Sequence, residues 1–150
     1  MSNKAIVQSY AETLLTQDVK ASVALLHPEF IGKFPQSGEL IRGPENFEAI
    51  AVNYPINLPE SDSFETVGDE KQKAHVQSTT FGMPLITVTG GGDTFTLTSL
   101  ARYPNGDEYH MVAIIELKDG LIFRETDYWA APFPPPEWRS DFVEMTADGE

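Results

Sequence analysis

GLIFRETDYWAAPFPPPEWR, Gly120 to Arg139, reads as a long last strand from Leu121 to Trp129 that runs into a proline-stiffened tail. Side chains alternate along a strand, so Phe123, Glu125, Asp127 and Trp129 are expected on one face and Arg124, Thr126 and Tyr128 on the other. If the first set faces an interior, two carboxylates share it with two aromatic rings. Burial beside a like charge raises a carboxyl pKa, which makes the group a useful acid or base near neutral pH. The competing reading leaves Glu125 and Asp127 on a half-wet rim, solvated or paired with Arg102 or Arg124. Residues 131–145 read as an extended strap with Trp138 and Phe142 as apolar anchors that return the tail to the body, and 146–150 as a disordered end. The same prolines could instead be offered to a proline-reading module.

Upstream of this strand the pattern is a meander. Leu85 to Thr89, Thr94 to Tyr103 and Glu108 to Lys118 alternate apolar and polar residues. Between them fall Gly90-Gly91-Gly92-Asp93, Pro104-Asn105-Gly106-Asp107 and Asp119-Gly120, which are hairpin signals. The glycine run lacks the lysine and the helix start of a phosphate cradle and reads as a turn. Phe64 to Val67 is a further short strand, residues 55–63 a connector, and 68–80 carries no clear pattern.

The N-terminal third is helical. Ile6, Val7, Tyr10, Ala11 and Leu14 recur at helical spacing within Lys4 to Thr16. Asp18 can cap a second helix with Val19, Val23, Leu25 and Leu26 on its apolar side, stopped by Pro28, which puts His27 at the helix's C-terminal end. Phe30 to Phe34 reads as a short strand and the following PQSGELIRG as turn-rich. Gly43-Pro44 opens a third helix with Phe47, Ile50, Ala51 and Tyr54 on its apolar face. Helices followed by a meander of long strands imply an α+β domain, with helices on one face of a bent antiparallel sheet.

The chain has 150 residues, enough for one core, and a formal charge of -13 that disfavours nucleic acid as a partner. It has no cysteine, which excludes disulfides, zinc-thiolate sites and thiol nucleophiles. No two histidines stand at metal-ligand spacing, so no metal site is expected. The longest apolar run, Met111 to Ile115, is far short of the roughly 20 residues a membrane helix needs, and the start lacks a signal-peptide core. A cytoplasmic protein without a membrane partner is expected.

FPQSGELIRGPENFEAI, ARYPNGDEYHMVAIIELKDG and LIFRETDYWAAPFPPPEWR, within a helix-helix-strand-helix-sheet order from Ile6 to Val143, resemble the nuclear transport factor 2-like fold and its SnoaL-like branch. The resemblance implies a strongly curved sheet wrapped around the helices, a conical and mostly apolar pocket, and dimers formed through the sheet. Asp127-Tyr128-Trp129 is similar to the end of the last strand in limonene epoxide hydrolases. Their partner arginine and aspartate would fall near Thr96 and Thr98, and their water-holding tyrosine and asparagine, near Phe30 to Phe34, are absent. Tyr10 stands where ketosteroid isomerases carry an oxyanion-hole tyrosine, but their base would fall at about Phe34 and their second donor at about Ala113. Polyketide cyclases of the SnoaL type pair an aspartate base with a histidine, for which Asp127 and His110 are the available pieces. The hydrolase comparison puts Met111, Ala113 and Ile115 in the pocket and His110 outside.

The reading is then a homodimeric cone-shaped domain that holds a small apolar organic molecule. As an enzyme it is expected to need no cofactor, with Asp127 as general acid or base and Tyr10 as donor. Phe34, Tyr54, Thr98, Leu100, Met111, Glu125 and Trp129 are the expected ligand contacts. A binding or assembly module that keeps the cavity without chemistry is the alternative.

Overall fold

The computed structural model describes residues 1–54, 86–102 and 107–146. The expected strand at 64–67, the connector at 55–63, the unassigned stretch 68–80, Leu85, the turn residues 103–106 and the end from 147 lie outside the described residues.

Helix α1 (Asn3–Thr16) starts where the Ser2 side chain accepts from the Ala5 N–H, and it ends on Gln17 in the left-handed region at φ 56°. Its buried side, Ile6, Val7, Tyr10 and Ala11, is the one the spacing predicts. Asp18 caps α2 (Val19–Ala24) as expected, but the helix is shorter than its sequence suggests. Strand β1 (Leu26–Phe34) takes over at once, so Leu26 and His27 are extended rather than helical. Proline disfavours the helical conformation at the residue before it, and Leu26 and Phe30 bury in the sheet instead. His27 therefore caps no helix; its Nδ1 accepts from the Glu29 N–H and its ring meets Phe123 edge-on.

Glu39–Arg42, expected as part of a turn, forms strand β2, antiparallel to β1 with Gly32 opposite Ile41. Helix α3 (Gly43–Val52) has Pro44 in its first turn. It lies half in solvent, with no fully buried residue. Strands β3 (Thr87–Gly91), β4 (Thr94–Arg102), β5 (Glu108–Lys118) and β6 (Leu121–Ala130) follow. They complete a curved, mostly antiparallel sheet of order β2-β1-β6-β5-β4-β3. The exception to antiparallel pairing is β1 beside β6, which run parallel.

Turn chemistry explains the hairpins. Asp119 and Gly120 both take positive φ, 54° and 73°, as the tight primed turns of two-residue hairpins require. The β3–β4 turn is Gly92-Asp93, and its tip is tied to the start of α1 by Asn3 Nδ2, which donates to Gly92 O (2.9 Å) and Asp93 Oδ1 (2.8 Å). At Gly90, φ is 122° and a Cβ would lie 2.5 Å from the Thr94 carbonyl oxygen. Gly90→Ala must therefore move backbone, and a loss of about 2–4 kcal/mol is expected in urea unfolding. A change under about 0.5 kcal/mol would show that the hairpin relaxes freely.

The face of the sheet toward the helices is set by alternation. Phe95, Leu97 and Ala101 of β4 and Met111, Ala113, Ile115 and Leu117 of β5 are buried, and with α1 they make the core. Thr98 and Leu100, expected in the pocket, have the opposite parity. They pair with Val112 and His110 on the outer face, because the interior places are held by Leu97 and its register partner Ala113. His110 is exposed there.

Strand β6 corrects the simple alternation. A bulge against Glu116–Leu117 puts Ile122 opposite Leu117 and Arg124 opposite Glu116, so Phe123 is an extra residue. Ile122, Glu125, Asp127 and Trp129 face the interior while Phe123 turns outward, beneath Lys118 (4.9 Å) and Arg124 (5.1 Å). Beyond β6, residues 131–136 are irregular and Glu137–Phe142 form a 3₁₀ helix. Trp138 and Phe142 are not anchored to the body as expected: they are 78% and 83% exposed. Four prolines between Ala131 and Glu137 hold that segment extended, and its apolar side chains reach no core. No helix among the described residues is long and apolar enough to cross a membrane.

Candidate functional site

The site is built where the first and last strands meet. Along β1, Phe30, Gly32 and Phe34 point inward at alternate positions, and Gly32 lies beside Glu125 in the parallel register. A Cβ on Gly32 would approach Ile41 Cδ1 to 3.2 Å and Phe30 Cε1 to 3.4 Å, so the missing side chain leaves the room. Phe47, Ile50 and Ala51 of α3 cover the other side. The result is a cavity of about 80 Å³, apolar except for Glu125 and Asp127 in its wall and Lys33 at its rim.

Behind that wall, Tyr10 of α1 is fully buried and its hydroxyl donates to Glu125 Oε2. Glu125 is 6% exposed. Burial pushes its carboxyl pKa up, and hydrogen bonds from Tyr10 and Asp127 partly counter this. Asp127 is raised well above the carboxylate range, first by burial, then by the Glu125 charge and by a hydrogen bond to Glu125 that needs the proton on Asp127. Burial, followed by Glu125 and Asp127, also lifts the Tyr10 phenol. Tyr10 and Asp127 thus flank Glu125, and burial raises the pKa of all three groups. Asp127 Oδ1 is buried and has no hydrogen-bond partner among the described residues. A buried polar atom left bare costs about 1–3 kcal/mol, so Asp127 holds an unmet demand for a hydrogen bond next to the cavity it helps to line.

The alternative pairing of these carboxylates with arginine does not occur. Arg102 bonds Glu108 at 3.0 Å and Arg124 lies over Phe123.

Tyr10, Glu125, Asp127 and Phe34 thus come together. Met111 is core, opposite Trp129, and α1 fills the concave space over these strands, so neither lines the cavity. Trp129 lies near the end of β6, and its backbone N–H donates to Gln36 Oε1 at 2.6 Å. Tyr54 lies past α3, 41% exposed. Thr98 and Leu100 are on the outer face. Phe30 and Phe47, which stack edge-on at 5.7 Å, were not expected as cavity walls. The alternation Phe30-Gly32-Phe34 was the signal that could have shown the β1 wall. Among the described residues, no group of three His, Asp or Glu side chains could hold a metal ion.

The chain has the nuclear transport factor 2-like fold. A nuclear transport factor 2-like protein from Burkholderia xenovorans LB400 superposes with a TM-score of 0.69 at 22% identity, over 97% of this chain and 95% of that one. A ketosteroid isomerase-type protein from Kribbella flavida gives 0.71 at 21% identity, over 98% and 91%. A polyketide cyclase-type protein from Sinorhizobium meliloti gives 0.54 at 16%, over 83% and 94%. No protein-family model and no curated protein matches the sequence. At these identities the likeness establishes architecture, and one architecture hosts many chemistries.

Proposed function

We propose that the protein is a cofactor-free acid–base enzyme acting on a small organic substrate whose apolar part lies against the phenylalanine walls. The observation that carries this is Asp127, a residue of the cavity wall that lies beside the Glu125–Tyr10 pair and keeps one buried carboxyl oxygen without a partner among the described residues. With one proton on the two carboxyls, the pair can give a proton or take one. That suits proton abstraction next to a carbonyl with return to another atom, as in isomerisation, cyclisation or dehydration. The fold relatives of isomerase and cyclase type favour the same class. The working form is a cytoplasmic homodimer joined through the outer sheet face, where Leu100, Val112, Ile114 and Tyr128 make an apolar patch.

The test is deuterium uptake from D2O at carbon next to the carbonyl in a panel of small ketones and enones, followed by NMR. Exchange that falls about 10²–10⁴-fold in Asp127→Ala supports the enzyme. Binding without exchange, retained in Asp127→Ala, supports the second reading, a ligand-binding module. That reading has its own observation: the places where isomerases carry a base and a second donor are here Phe34, in the cavity wall, and Ala113, the register partner of Asp127.

A further inference from the structure

We infer that the deep end of this cavity takes a small alkylammonium group, with Glu125 and Asp127 as counter-ion and the rings of Phe30, Phe34 and Phe47 as walls. The inference rests on the ligand pocket proposed above and names the chemistry of its ligand.

Three properties of the cavity must be met together. The carboxyl pair carries a negative charge once one of its protons is lost, and among the described residues no ion pair compensates it: the lysine and arginine ion pairs join Arg102 to Glu108 and Lys118 to Glu29. Lys33 reaches the rim, but it is exposed and its register partner is Thr126, of opposite parity to Glu125 and Asp127. Next, Oδ1 of Asp127 has no partner. Finally, the remaining wall is aromatic or aliphatic: three phenylalanines with Gly32, Ile41, Ile50 and Ala51.

A neutral apolar ligand satisfies the rings and leaves both the charge and the oxygen bare. An alcohol meets the oxygen and leaves the charge. An alkylammonium meets all three, since its charge pairs with the carboxyls while its methyl groups, which carry much of that charge, lie on ring faces. Size agrees. An engineered cavity of about 150 Å³ holds benzene, or roughly 25 Å³ per heavy atom. On that scale 80 Å³ encloses about three heavy atoms, so an alkylammonium seats part of its head group inside and keeps its remaining methyl groups at the mouth. The net charge of -13 adds a field that concentrates cations in an acidic cleft.

Ligand uptake is then coupled to protons. The titratable or charged groups facing the pair are Tyr10 from α1 and, at the rim, Lys33 from β1. The facing residues of β2, α3 and β5 (Ile41, Phe47, Ile50, Ala51, Ala113 and Ile115) carry none. Burial holds protons on both carboxyls above the ordinary range, and a bound cation favours their ionised form. Binding therefore releases protons, and affinity for a permanent cation rises with pH.

Calorimetric titration of the full chain with tetramethylammonium chloride, against sodium chloride and tert-butanol as a neutral compound of similar size, tests this. Expected are tetramethylammonium binding at least tenfold tighter than tert-butanol, affinity that increases from pH 5 to pH 8, and proton release read from buffers of different ionisation heat. Asp127→Asn is expected to weaken tetramethylammonium at least tenfold. Phe47→Leu, which removes one ring of the wall, is expected to weaken tetramethylammonium by a larger factor than tert-butanol, with folding checked by its urea midpoint. Equal binding of the two probes, or tert-butanol binding alone, overturns the cation assignment and leaves the pocket reading standing. If neither probe binds and the ketone panel also fails, the pocket reading itself is overturned.

Discussion

Asp127→Asn is expected to abolish turnover and, at neutral pH, to make the protein more stable. The activity loss, about 10²–10⁴-fold, is that of removing a positioned acid or base. The stability gain follows from the direction in which burial moves the Asp127 carboxyl. Its folded-state pKa is raised by burial and by Glu125, whereas in the unfolded chain an aspartate titrates near 3.9. The native state therefore holds a proton that the unfolded state gives up. The associated stability is complete below the unfolded pKa and is lost as pH climbs through the raised folded value. Asparagine is neutral at every pH and its amide can donate to Glu125 as the protonated acid does. In urea titrations the wild-type midpoint should fall from pH 5 to pH 8, and the variant should fall less, ending about 1–2 kcal/mol above wild type at pH 8. A variant less stable than wild type at pH 8 would mean that Asp127 has partners worth more than its desolvation costs.

Tyr10→Phe is expected to cost about 1–3 kcal/mol, although the ring stays and a single oxygen is lost. Glu125 is too buried for water to replace the phenol as donor. Losing that bond also removes one of the two influences that hold the Glu125 pKa down, so the destabilisation grows with pH. Any acid limb of the pH–rate profile moves to higher pH. A double-mutant cycle with Glu125→Gln isolates the pair, and a coupling of about 1 kcal/mol or more is expected. Additive effects would show that Tyr10 stabilises through its ring alone, packed against Phe47 at 6.5 Å.

What the sequence revealed follows the range over which each signal acts. The α1 face, the Asp18 cap and the Asp119-Gly120 turn are local and were legible. The alternation of Glu125 and Asp127 toward one interior was also legible, and with it the carboxyl pair. The end of α2 was not, because Val23, Leu25 and Leu26 continue a helical pattern until Pro28 and the sheet override it. Placing Thr98 and Leu100 in the cavity failed on parity, which only the partner strand fixes. Phe123 was put inside because a bulge is a relation between two strands and leaves no mark in one. The cavity position, against β1 and α3 rather than over β4 and β5, depends on the parallel β1–β6 pairing, which joins Leu26 to Ile122 and Gly32 to Glu125 and so lies beyond any local signal.

That pairing has a consequence for how the protein is made. Tyr10 and Glu125 are 115 residues apart, and β1 acquires its inner neighbour only when β6 exists. A nascent chain that has emerged only as far as the β5–β6 turn has Phe30 and Leu26 without their sheet partner and no binding site at all. Contacts of such sequence separation slow folding and prolong the exposure of apolar side chains. On the proposed function, ligand binding would report that β6 has docked on β1, and a ligand added during refolding should trap that step without hastening the earlier ones.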